Sequence, residues 1–433
     1  MSVGANLALI VFSISVLVGV VGLVLLASRQ FRIDPELKRK IVHVATGAYA
    51  LTLPVTFTDR WPVMVLVGIS IVGMVVMRSQ RSVAYGLRSV LHSVERKSYG
   101  EIYLALAVGF LFFRSTAQPV LYVLPIAVVT LSDAAAGLVG TAYGRRHFAV
   151  EHGVKSIEGV VTFFVVTWLV AMILLLLMSD VPRATVVVLG FLIAAFGALV
   201  ESQSWQGLDN LFVPISIHLL LSGNLNAQPL GLAVGAIGFL ALVAVLVGFA
   251  PVLRLSGHSA RGFAILIFII LSYTAPYNAL LPVAAIGAHG LAQFRRPCAS
   301  GYPDLDLLAA IAGVGLFWLF LGEYFGHSAI DLFALTLATA AIVFIGLASE
   351  KARWLIATAA LPVLVALAAV VALNARQSAW HGPLWPWTGA GLAIATAVAL
   401  WRPQFFDRWR GVRVLLASSL APAALFVIRG LLA

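Results

Sequence analysis

Apolar runs recur from Asn6 almost to the last residue of this chain, separated by short hydrophilic breaks, and that recurrence decides what the sequence can fold into. Of its 433 residues, 61% are hydrophobic and only 10% charged, with a mean hydropathy of +1.03. A soluble protein needs a polar exterior that this composition does not supply. The runs are long enough for roughly 15 or 16 crossings at about 20 residues each, some of them short enough to tilt or re-enter. Their alternation with short and long breaks favours helices over a barrel. The expected fold is all-α, a polytopic transmembrane helical bundle with roughly 15 spans. The first run, from Asn6 to Ala27, is longer than a signal h-region and has no basic n-region before it, so it reads as a retained first span.

The net charge of +11 would point to nucleic acid in a soluble chain. Here the positive-inside rule accounts for it, and no nucleic-acid partner is expected. Placing the amino terminus outside puts 23 of the 28 Lys and Arg residues in inner breaks and leaves five outside: Arg60, Arg114, Arg183, Arg376 and Arg429. On this threading every candidate chemical motif reaches the cytoplasmic side of a cell inner membrane. Cys298 is the sole cysteine, which excludes an intramolecular disulfide and any multi-cysteine metal site. The motif-bearing part, residues 1–225, reads as a membrane catalytic domain, and residues 226–433 as an additional transmembrane domain of unassigned role. The aromatic cluster from Trp380 to Trp387 reads as an interfacial belt.

The stretch from Leu131 to Gly159 puts groups beside a span that apolar chains normally exclude. Asp133 ends a long apolar run, where an ionised carboxylate is costly without a cation or a task. Gly137, Gly140 and Gly144 follow at helical spacing, leaving a bare face that suits either close helix packing or the approach of a bulky anion. Arg145, Arg146, Lys155, Ser156 and Glu158 complete one short loop. An acid for a divalent cation and a lysine for phosphate form a chemically complete pair, so Asp133 and Lys155 point to a nucleotide or phosphate site at a membrane surface.

Three further groups lie at predicted inner ends of spans. In DPELKRKIVHVATG, Pro35 suits the first turn of a helix, which would set Arg39 and His43 one turn apart with Lys40 beside them. His43 falls inside an apolar span and needs a partner or a polar cavity. Glu101 stands at the mouth of a later span. Glu201, Asp209 and Asn210 sit in ESQSWQGLDNLFVP, a break without Lys or Arg in which Gly207 favours a change of direction. Magnesium typically takes one or two protein carboxylates together with substrate phosphates, and Asp133 and Asp209 are the candidates here. Zinc-type His and Cys spacing, a Walker A motif and the kinase GxGxxG are all missing.

Taken together, RKIVH at 39–43, SYGEIYLAL at 98–106, SDAAAGLVGTAYGRR at 132–146, KSIEG at 155–159 and ESQSWQGLDNLFVP at 201–214 resemble the polyprenol kinase family of phytol, farnesol and dolichol kinases, which is distantly related to membrane phosphatidate cytidylyltransferases. The resemblance covers the first half of the chain. It implies transfer of a phosphoryl group from CTP or a related nucleotide, with Mg2+, to a long-chain isoprenoid alcohol drawn from the membrane lipids. It also implies that Asp133 is the metal or nucleotide acid and that Lys155 and Ser156 contact phosphates. Glu201, Asp209 and Asn210 would complete the site, and Arg39, Lys40 and His43 match the amino-terminal motif. A base for the alcohol proton would be His43 or Glu201. The alternatives are cytidylyl transfer to phosphatidate and transport of an anionic lipid.

Overall fold

Fifteen α-helices and a single two-stranded hairpin account for the regular structure of the described residues, apart from two short 3-10 turns, in a computed structural model of the protein. The residues described are 2–31, 33–79, 99–115, 118–150, 153–326, 328–349 and 354–375, six positions between 389 and 397, and 401–432. Most of the expected inner loop from Arg78 to Lys97, the Lys351 to Arg353 loop and the Trp380 to Trp387 cluster lie outside them.

The chain divides into two compact units, Met1–Gly238 and Phe239–Ala433. The first holds α1 (Val3–Phe31), α2 (Pro35–Thr56), α3 (Arg60–Ser79), α4 (Gly100–Arg114) and α5 (Val120–Tyr143). After them come strands β1 (His147–Val150) and β2 (Gly153–Ser156), then α6 (Ile157–Met178), α7 (Arg183–Gln203) and α8 (Asp209–Asn224). Helix α9 (Pro229–Leu253) carries the division between the units. α5 is the axis of the first unit: α2, α6 and α8 all pack on it. Its apolar window is 61% buried, as is that of α7, whereas α1 buries 17% and turns most of its apolar surface outward. In a soluble protein such a surface would be a liability; against lipid it is the solvated face.

The second unit contains α10 (Gly257–Tyr273), α11 (Leu280–Arg295), α12 (Pro303–Phe325), α13 (Ile330–Ala348), α14 (Trp354–Asn374) and α15 (Arg410–Leu432). α13 is its centre, with 89% of its apolar window buried. Leu337, Phe344, Trp318 and Phe426 belong to the surrounding core. A polar knot interrupts that core, where the Asn374 amide donates to Asn278 at 2.9 Å and to Asp331 at 3.0 Å. No charge in the knot is left without a hydrogen-bonding neighbour, as burial in a low-dielectric interior requires.

Among the described residues, eight helices are long and apolar enough to cross a membrane: α1, α5, α6, α7, α9, α12, α13 and α15. The protein is a multi-pass, almost wholly helical membrane protein. In number the fifteen helices match the roughly 15 expected crossings, although α4, α8, α10 and α11 run only 15 to 17 residues and α2 opens with Glu36, Lys38, Arg39 and Lys40. Among the described residues the one departure from an all-α fold is the hairpin, which occupies the stretch expected to be a plain loop. Its register pairs Phe148 with Lys155 and Ala149 with Val154, and the β-branched Val150 and Val154 with Phe148 favour strands. Gly153, at φ 131°, takes a backbone conformation that a side chain would disfavour.

Candidate active site

α2 begins with the Asp34 side chain accepting from the backbone N–H of Glu36 at 2.8 Å, and Pro35 occupies its first turn as its sequence position predicts. That start fixes the direction of Lys40. Its Nζ crosses to α5 and donates to the Asp133 carboxylate at 2.8 Å and to the Asp133 carbonyl at 2.9 Å, with both residues buried. Gly137, one turn further along α5, makes room: a Cβ there would collide with Cε and Nζ of Lys40. One turn along α2 from Arg39, the His43 Nε2 lies 2.9 Å from the Val129 carbonyl and 3.5 Å from Asp133. Since a carbonyl only accepts, Nε2 carries the proton in the shorter contact. Arg39 itself pairs with Glu36 at 2.6 Å.

The hairpin delivers the second pair. Lys155 donates to the Glu201 carboxylate at 2.7 Å and also to the Glu201 carbonyl, tying β2 to the end of α7. α7 stops at Gln203, and the chain turns through Gln206 (φ 54°) and Gly207 (φ 85°) before α8 starts at Asp209. The break foreseen at Gly207 therefore places Glu201 and Asp209 on different helices, not two turns apart on one. The backbone N–H of Tyr99 donates to the Gln206 carbonyl at 3.2 Å, so the turn is held against the start of α4.

These elements enclose a cavity of about 720 Å³. Arg39, Lys40, Asp133, Gly137, Gly140, Lys155, Ser156, Glu201, Asp209 and Asn210 all line it, so ten of the candidate residues, drawn from stretches between positions 39 and 210, meet at one place. The others lie elsewhere, for reasons of packing. Gly144 abuts the Gly140 carbonyl and the Ser156 side chain, and with Gly140 it lets α5 run against α6. Arg145 and Arg146 are exposed beside the hairpin, outside the cavity lining. Glu158 accepts from the Arg146 backbone N–H at 3.2 Å and closes the base of the hairpin. Ser156 lines the cavity but also caps α6, accepting from the Gly159 N–H at 3.1 Å. His43 lines an adjoining aliphatic cavity instead.

Sequence reasoning passed over Thr141, Trp205 and Gln206, which also line the cavity. Glu36, three residues before Arg39 on one helix face, lines it too. The wall formed by Val150 and Val154 was hidden, since a four-residue strand is too short to display its period.

Charge decides what such a cavity accepts. Glu36, Glu101, Asp133, Glu201 and Asp209 face Arg39, Lys40 and Lys155, so carboxylates outnumber cations by five to three. An anionic ligand entering this space needs additional positive charge. Asp209 Oδ1 and Asn210 Oδ1 are buried without a hydrogen-bond partner, and two orphaned oxygens on adjacent residues are a donor set that suits a hard divalent cation. Among the described residues no three His, Cys, Asp or Glu side chains cluster as an all-protein metal cage does. Magnesium needs no such cage when phosphates and waters complete its shell. Asp133, by contrast, is already engaged by Lys40 and faces His43.

No family model matches the sequence, and no solved structure matches it. It is 33% identical over 187 residues to a phytol kinase of Synechocystis sp., an alignment covering 43% of this chain and 78% of that protein. Identity of that level over so much of the relative shows common descent, and with the motifs of its first half converging on one cavity, the chain belongs to the polyprenol kinase family.

Proposed function

We propose that the protein is an integral-membrane lipid kinase that transfers the γ-phosphoryl group of CTP to a long-chain isoprenoid alcohol such as phytol, farnesol or geranylgeraniol. The reaction takes place at the cytoplasmic face of the inner membrane. The observation that carries this reading is the cavity at the helix ends, where lysine, arginine and paired orphan oxygens meet in a chain otherwise poor in charge. The identity to a phytol kinase supports the acceptor class. A lipid alcohol arrives laterally within the bilayer and a nucleotide from water, so chemistry belongs where helices meet the aqueous phase.

Phosphoryl transfer asks mainly for in-line positioning and charge neutralisation. Asp209 and Asn210 would hold Mg2+, which supplies positive charge to the nucleotide phosphates. Lys155 exchanges the Glu201 carboxylate for a phosphate oxygen, and Arg39 does the same with Glu36. Asp133 is a positioning residue: it fixes Lys40 and faces His43. The alcohol oxygen forms the new P–O bond as the bond between the γ-phosphorus and the bridging oxygen breaks. CDP leaves with that electron pair, and the hydroxyl proton passes to Glu101, the carboxylate that lines both this cavity and the adjoining aliphatic one.

The test is an assay on purified protein in liposomes with Mg2+, γ-labelled CTP and a panel of phytol, farnesol, geranylgeraniol and phosphatidate. Label on an alcohol, with CDP as co-product, is the expected result. Pyrophosphate release with phosphatidate would replace the kinase by cytidylyl transfer, and no reaction with any acceptor would overturn the enzymatic reading.

A further inference from the structure

Beside the charged cavity lies a second one of about 400 Å³, walled by α1, α2, α3 and α4 with Asn210 at one end. Arg39, Glu101 and Asn210 line both spaces, so the two adjoin. Along α2 its lining descends through Arg39, His43, Thr46, Ala50 and Leu53, a stripe of fifteen residues whose ends lie about 21 Å apart at about 1.5 Å per residue. Along α4 the order is Glu101, Leu104, Ala105 and Val108, from the charged end inward. This is a groove, with Arg39, His43 and Glu101 gathered near one end of it.

The hydroxyl donors of the polar residues in its middle are taken up within the protein. Thr46 donates to the Val42 carbonyl at 2.9 Å, and Ser70 to the Leu66 carbonyl at 2.8 Å. Tyr49 donates to Ser13 at 2.5 Å. Their hydrogen-bonding capacity is met within the protein, so the middle of the groove has little use for water. At Gly73 a Cβ would meet nothing within 4 Å, which leaves open space on the α3 wall. The lining residues Val18 of α1 and Ile69 of α3 are 65% and 45% exposed, so the groove reaches the lipid-facing surface along those helices.

We infer that this groove between α1, α2, α3 and α4 holds the single isoprenoid chain of the alcohol, with its hydroxyl at the junction formed by Arg39, Glu101 and Asn210. The inference rests on the proposed kinase function and adds where the acceptor lies. An aliphatic trough with charge at one end is complementary to a molecule with one long apolar tail and one terminal hydroxyl. At about 400 Å³ the volume lies in the lower part of the ~300–1,000 Å³ range of small-molecule pockets, which suits one chain better than the two of a diacyl lipid.

The experiment uses the full-length protein in liposomes with farnesol, geranylgeraniol and phytol as acceptors, and a diazirine-bearing farnesol analogue for photolabelling. Gly73→Phe and Ala105→Phe fill the trough. Each is expected to raise the KM for the alcohols about tenfold or more while changing the KM for nucleotide by less than about twofold. Photolabel is expected in peptides from α2, α3 and α4. Where a variant fails to fold, labelling of the unsubstituted protein decides. Active protein with label elsewhere, or with alcohol KM unchanged in folded variants, would overturn the groove and leave the kinase standing. Protein that labels in the groove yet transfers no phosphate would keep the groove and overturn the kinase; neither label nor transfer would overturn both.

Discussion

Lys40 and Asp133 neutralise each other inside the first unit, and a buried pair of this kind is expensive to break because the survivor keeps its charge in a poor solvent. Lys40→Met should therefore lower stability by about 3–5 kcal/mol, and pairing it with Asp133→Leu should restore much of that loss, as read by thermal unfolding in detergent. Turnover would stay low in the double variant if Asp133 positions the site. At Asp209 the expectation is reversed. Its Oδ1 has no protein partner to lose, so Asp209→Asn should leave the melting temperature nearly unchanged while raising the Mg2+ concentration for half-maximal activity about tenfold. Glu101, at the junction of the two cavities, is predicted to act as the base, in which case Glu101→Gln lowers kcat by about a hundredfold or more with little effect on the KM for nucleotide. At this scale the sequence was informative about identity and silent about pairing. A charge in an apolar run announces itself by its cost, which is why Asp133, Lys155 and Glu201 stand out. That Lys155 spends its resting state on Glu201, and Asp133 on Lys40, depends on approaches between residues 46 and 93 positions apart that no local pattern encodes.

Among the elements, helices were legible and the short irregular pieces between them were not. Hydropathy and length specify α5 and α7 almost by themselves, because a span in lipid must satisfy its own backbone. The hairpin that carries Lys155 has only four residues in each strand and follows a helix of glycines and alanines, so its period of two never emerges. The glycines of α5 were readable as a bare face, but they divide by purpose. Gly140 and Gly144 admit α6, whereas Gly137 admits the Lys40 side chain. Gly137→Ala should consequently behave as an overpacking change with a chemical side effect, costing about 1–3 kcal/mol of stability and displacing Lys40 from Asp133. Gly140→Ala would meet Ser156 Oγ instead, so comparing their thermal unfolding and turnover separates a lysine channel from a helix seam.

For the molecule as a whole, all ten cavity-lining candidate residues lie between positions 39 and 210, inside the first compact unit. A chain ending after Gly238 is predicted to retain phosphoryl transfer, measured with the same labelled nucleotide; its loss in a folded, membrane-inserted product would assign the second unit a part in the reaction. Within the first unit, the groove and the charged cavity come from different stretches of chain. Apart from Asn210, the groove is lined by residues 14–108, while Asp133, the hairpin, Glu201 and Asp209 follow later and only the first turns of α2 and α4 serve both. On the proposed function, preference for one tail over another can then drift by substitution at positions such as Gly73 or Ala105 without disturbing a single acid or lysine of the charged cavity. Two enzymes of this design in different lineages could share their donor chemistry unchanged and still draw on different alcohols, so acceptor range is the trait free to evolve and phosphate handling the one that is inherited.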